Sequence, residues 1–137
     1  MWRTIAAVVA GVVGGGILIT LVQVGGNTLF PPPEGMDTSN MESIREHMDQ
    51  IPLASLLWVL LSYAVGCFAG GFLATRIART GTLTPALSVG IVFFLFGIMN
   101  LIMLPHPVWF MIASQATYIA AAWAGGRIGG GHESVRA

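Results

Sequence analysis

The chain has 137 residues, zero formal net charge, 55% hydrophobic residues and only 9% charged ones. A soluble domain carries about 25% charged residues, so this composition argues for a single membrane domain over residues 1–137. With no net charge, no global field here recruits nucleic acid.

The first apolar run, residues 5–24, contains no charged side chain. A helix needs about 20 apolar residues to cross a bilayer, and inside lipid only a helix satisfies its own backbone. Arg3 gives the run a positive start, as in a secretory signal. Yet the run is longer than the usual core of about 7–15 residues and no A-x-A pattern follows, so an uncleaved span is expected. Gly11 and Gly15, in line with Ala7, recur every four residues. Such a row lets another helix backbone approach closely.

Residues 25–52 form the expected outer loop. Pro31, Pro32 and Pro33 follow Phe30 and should end the helix and stiffen the exit. Ser39 and Glu42 have the spacing of a capping box, with Ser39 as the cap. Met41, Ile44, Met48 and Ile51 then recur at steps of three, four and three. A short amphipathic helix is predicted, with Met41, Ile44 and Met48 on its apolar face and Glu42, Glu46 and Asp49 on its polar side. The acidic face does not suit anionic lipid, so the helix is read as packing on the protein or docking a partner. Glu42, Glu46 and His47 lack a second cluster of ligands, and no metal is expected.

Three further spans are predicted over 53–75, 86–104 and 108–126. The second carries the row Ser62, Gly66, Gly70, Ala74 and Ala78; the fourth carries Ala113, Thr117, Ala121, Gly125 and Gly129. Residues 62–71, SYAVGCFAGG, align with 117–126, TYIAAAWAGG, at a shift of 55. The expected fold is therefore an all-α, integral-membrane four-helix bundle, built as two duplicated helical hairpins, with the amphipathic helix in its first outer loop. The abundance of small-residue faces leaves some of them for a partner. Cys67, the single cysteine, reads as a small core residue.

Five of the six arginines, Arg3, Arg76, Arg79, Arg127 and Arg136, fall on one side of this arrangement, and only Arg45 falls on the other. Positive residues stay in the cytoplasm. Both termini are therefore expected in the cytoplasm of a bacterial inner membrane, with the acidic loop outside.

No Asp, Glu, Lys, Arg or His lies within the spans. Transporters coupled to protons or ions usually keep an ionisable group there. Gln23, Asn100 and Gln115 all fall in the outer half and are expected to form one polar layer, through interhelical hydrogen bonds or as a substrate cavity. His106, between Pro105 and Pro107, is the single candidate ligand for a metal or pigment. No cofactor is expected. There is no Ser–His–Asp set, Cys–His pair or phosphate loop, so no enzyme is expected.

The stretches AGGFLATRIAR and GIMNLIMLPHPVWF, with the Pro-rich acidic loop, resemble those of small four-span bacterial inner-membrane proteins of uncharacterised function. That resemblance covers most of the chain, implies the architecture, and carries over no catalytic residue. The small multidrug transporters are less similar, since their first-span glutamate has no counterpart here. The expected role is a non-enzymatic accessory or structural subunit of a larger inner-membrane complex, of respiratory or photosynthetic type. Its partners would be other membrane subunits or a second copy, and the bilayer. The alternative is a small oligomeric transporter or channel using the outer polar layer.

Overall fold

The computed structural model of the chain describes residues 2–29, 31, 34–35, 37, 39–103 and 106–130, with Asp49 described in its backbone only. Phe30, Pro32, Pro33, Leu104, Pro105 and Arg136, invoked above, lie outside the described residues.

Every regular element described is helical. The order is α1 (Trp2–Leu29), α2 (Met41–Glu46), a 3₁₀ turn (Met48–Gln50), α3 (Leu53–Ala78), α4 (Thr84–Met103) and α5 (Val108–Ile128). Helices α1, α3 and α4 are long and apolar enough to cross a membrane. Helix α5 has the length, but Ser114, Gln115, Thr117 and Tyr118 dilute its apolarity.

The helices run past the expected spans, because helix propensity does not stop where apolar residues do. The outer loop was expected to begin at residue 25, yet α1 continues to Leu29. There the Trp58 ring lies against Gly26, and Trp58 Nε1 donates to the Val22 carbonyl at 2.7 Å. Helix α3 continues to Ala78 and stops at Arg79, whose left-handed φ of 55° breaks the helix. Helix α4 takes Pro85 into its first turn, where no amide partner is needed.

Helix α3 is central and packs on α1, α4 and α5; α4 also meets α5 and α1, whereas α1 and α5 share no packed face. Helix α1 runs antiparallel to α3. Arg3 Nε donates to the Ile77 carbonyl at one end, and Gln23 Nε2 donates to Ser62 Oγ nearer the other. Helix α5 runs parallel to α3: the Tyr63 ring lies near Phe110 and Tyr118, Gly125 meets Phe68, and Gly129 meets Phe72.

The core is built of Cys67, Ala74, Val89, Phe93, Tyr118 and Ala122. The outside is apolar too. Ile5, Val9, Val13, Ile17 and Leu21 are each more than half exposed and recur every four residues along α1.

Candidate functional site

The glycine rows set how close the helices come. A Cβ on Gly11 would stand 2.6 Å from the Gly70 carbonyl oxygen, and one on Gly70 would stand 2.7 Å from that of Gly11. Gly15 and Gly66 repeat this reciprocal pair, at 2.6 and 2.7 Å. Ala74 and Ser62 extend the seam at either end; Ser62 is fully buried and accepts the Gln23 amide at 3.1 Å. In the second row Gly125 lies against the Phe68 carbonyl, and a Cβ on Gly129 would stand 3.0 Å from the Phe72 carbonyl oxygen. Ala121 is half-buried at the edge of this contact. The rows are thus occupied inside the chain, which removes much of the surplus expected for a partner.

Gln23 and Gln115 have different neighbours. Gln23 sits between α1 and α3, where Ser62 receives it. Gln115 sits between α4 and α5, where a Cβ on Gly97 would come within 3.0 Å of its Nε2. Asn100, one turn beyond Gly97, is half-buried. Similar depth along the chain placed them together in the sequence, but Gln23 faces the α1–α3 interface and Gln115 the α4–α5 interface. Both amide atoms of Gln115 are buried and without a hydrogen-bond partner among the described residues. His106 is half-buried, and its ring stacks on Phe110 with centroids 4.9 Å apart.

The outer helix is shorter than expected, and its cap is one residue later. Asn40 Oδ1 accepts the Glu42 and Ser43 amides at 3.0 and 3.4 Å. Ser39 instead donates its hydroxyl to Asp37 Oδ1 at 2.6 Å and its amide to the same oxygen at 3.0 Å. These bonds, the hydroxyl first, hold the Asp37 carboxyl below its ordinary pKa. Met48 is buried in the 3₁₀ turn, Ile44 is half-buried, and Met41 is exposed. Glu42 and Glu46 are exposed, and Glu42 makes a loose pair with Arg45 at 3.5 Å. Arg45 does more than balance charge: its Nε and Nη2 donate to the Met103 carbonyl at 3.2 and 2.8 Å. It ties the loop to the end of α4 by satisfying a terminal carbonyl. Nothing local in sequence signals a contact across 58 residues.

At the opposite end lie Arg3, Arg76, Arg79 and Arg127. The Arg76 guanidinium is 5.9 Å from the Phe72 ring centroid, and that of Arg127 is 5.6 Å from the Trp123 ring. Thr75, Arg76, Arg79, Gly81, Gly129 and Gly130 line a cleft of about 430 Å³. Thr75 is buried, and its Oγ1 has no hydrogen-bond partner among the described residues. In the sequence Thr75 is an unremarked residue near a helix end, and only the fold brings it beside Gly129.

Comparison with family models, curated proteins and solved structures found no match for the chain.

Proposed function

We propose that the chain is a four-span, non-enzymatic accessory subunit of a larger bacterial inner-membrane complex, of respiratory or photosynthetic type. The outward face of α5 supports a fourth span. Val108, Trp109, Ile112, Ala116, Ala120 and Trp123 are exposed, while Ser114 and Tyr118 turn inward. The arginines support cytoplasmic termini: Arg3, Arg76, Arg79 and Arg127 gather at one end, and Arg45 stands at the other. Tyr63 and Tyr118, equivalent at the 55-residue shift, meet with ring centroids 5.0 Å apart, which favours two duplicated hairpins, although Gly70 packs on α1 and its equivalent Gly125 on α3.

One observation carries the accessory role. Because α1 and α5 share no packed face among the described residues, the side of α3 between them is open as an apolar groove of about 370 Å³, lined by Leu18, Ala64, Val65, Phe68, Ala69 and Ala121. Small residues at a lipid-facing groove admit another helix closely. The proposed occupant is a membrane-spanning helix of a partner subunit. Purification in mild detergent from the native host should recover a stoichiometric partner. Ala69→Trp, which fills the groove, should lose that partner, whereas Ala120→Trp on the exposed side of α5 should keep it. Recovery of the wild-type protein only as a free monomer would sink the proposal.

Gln115 favours a second reading, a small oligomeric transporter or channel, because a buried amide without a partner is costly. Substrate flux in proteoliposomes that is lost in Gln115→Leu would support it. A Gln115→Leu protein that is simply more stable would favour the accessory role.

A further inference from the structure

We propose that the cleft at the arginine-rich end binds a phosphate group, carried by a lipid headgroup or by a soluble phosphate compound. The site does not depend on what the protein assembles with.

Charge is the first support. Arg76 and Arg79 line the cleft, with Arg3 and Arg127 at the same end. Among the described acidic residues, Glu34, Asp37, Glu42, Glu46 and Asp49 all belong to the loop at the other end. No acidic side chain among the described residues pairs with Arg76 or Arg79.

Thr75 is the second, and it is independent of charge. A helical threonine ordinarily donates its hydroxyl back to a carbonyl one turn earlier. Thr20 does so to Gly16 at 2.9 Å, and Thr117 to Ala113 at 2.7 Å. Thr75 does not, although it is only 3% exposed. Thr75 lines the cleft, its hydroxyl is a buried donor, and such donors normally have an acceptor.

The glycines keep that wall open. A Cβ at Gly81 or Gly130 would meet nothing within 4 Å, so both border free space. Their φ values of 73° and 101° are ones that side-chain-bearing residues rarely adopt. The ends of α3 and α5 would repel an anion through free carbonyls, and four of those carbonyls are engaged. Arg79 N–H takes Thr75 O, Arg3 takes Ile77 O, Gly129 N–H takes Gly125 O, and Gly130 N–H takes Arg127 O. Two guanidiniums and a hydroxyl suit the several oxygens of a phosphate, which guanidinium forks bind well. The volume of about 430 Å³ leaves room for the molecule that carries it.

The test uses the full-length protein in detergent micelles, with thermal unfolding and native mass spectrometry as readouts. The probes are phosphatidylglycerol against phosphatidylcholine, and inorganic phosphate against chloride at matched ionic strength. Phosphatidylglycerol, phosphate, or both should bind and raise the midpoint. The double variant R76Q/R79Q should weaken binding by about tenfold or more, as loss of charge-assisted hydrogen bonds requires. Thr75→Val should weaken it less, and Thr75→Ser should restore it. Arg127→Gln should bind like wild type, since Arg76 and Arg79, not Arg127, line the cleft. Unfolding midpoints without probe show whether each variant is folded. A response to lipid alone assigns the headgroup; displacement of lipid by phosphate assigns a soluble compound. No response in the wild type, or an equal loss in Arg127→Gln, would overturn the site.

Discussion

Adding one methyl group to Gly70 should drive α1 and α3 apart. The new Cβ would lie 2.7 Å from the Gly11 carbonyl oxygen and 3.1 Å from Val89 Cγ1. Ordinary contact begins at 3.4 Å, so moving from 2.7 to 3.4 Å requires the Gly11 backbone to retreat by about 0.7 Å. A helix carbonyl cannot swing aside as a flexible side chain can. The whole seam must open, including the Gly15–Gly66 pair one turn away. A gap of about 0.5–1 Å forfeits about a quarter to a half of each contact's dispersion energy. Overpacking of this kind costs about 1–3 kcal/mol, and the better helix propensity of alanine returns up to about 1 kcal/mol. Gly70→Ala should therefore be less stable than a glycine-to-alanine change at an open helical site, which shares the propensity gain, by about 1–3 kcal/mol. Gly16→Ala is the control, since a Cβ there meets nothing within 4 Å. It should be neutral or stabilising. Unfolding by SDS in mixed micelles, followed by tryptophan fluorescence, measures both. In the double variant Gly11→Ala/Gly70→Ala one opening accommodates both methyls, so its cost should fall short of the sum. A Gly70→Ala protein as stable as Gly16→Ala would refute close backbone packing as the basis of this seam.

A cysteine at Ser39 should react with a membrane-impermeant thiol reagent in spheroplasts, and one at Thr80 should not; the native Cys67 is fully buried and stays silent. The reverse labelling would invert the orientation drawn from the arginines. Arg45→Ala should release α2 from the end of α4, seen as faster amide exchange over residues 41–50 with the α1–α3 seam unchanged. Unaltered exchange would mean that the bonds to Met103 do not hold the loop. The lowered pKa of Asp37 sets a direction with pH. The order it lends the loop should be complete above its unfolded pKa, near 3.8, and lost as pH falls through the lower folded value. Ser39→Ala should move the Asp37 titration, followed by NMR, upward toward the ordinary carboxylate range; an unmoved titration would show that Ser39 is not its cause.

The helices were legible because lipid-compatible sequence and helix period leave strong marks. Rows at a spacing of four located the faces of α1 and α3 that touch, since residues four apart share one side of a helix. Period does not say which neighbour a face meets. Gly11 and Gly15 were read as packing residues, but their pairing with Gly70 and Gly66 depends on the antiparallel register of two helices nearly 60 residues apart. The amides show the same limit. Gln23 and Gln115 share a depth, which sequence order reveals, yet they occupy different interfaces, which it does not. At the outer helix the mistake was smaller in scale. Ser39 and Asn40 are both good caps, and the choice fell to Asn40 because Asp37 engages the Ser39 hydroxyl.

The arginines show how far a sequence signal can carry and where it ends. Counted along the chain, they give one quantity, an asymmetry between two ends. In the fold each has its own local setting. Arg3 and Arg45 satisfy the last carbonyls of α3 and α4, at opposite ends of the molecule. Arg127 lies over Trp123, and Arg76 over Phe72. Arg76 and Arg79 share a cleft with a buried hydroxyl that no described residue accepts. A charge retained only for orientation would need none of these arrangements, since topology depends on the number of positive residues rather than on their contacts. The capped carbonyls account for two of the arginines, and the aromatic rings partly account for two more. What is left over at the cleft is one buried donor, the Thr75 hydroxyl, beside two exposed guanidiniums, and a buried donor ordinarily has an acceptor.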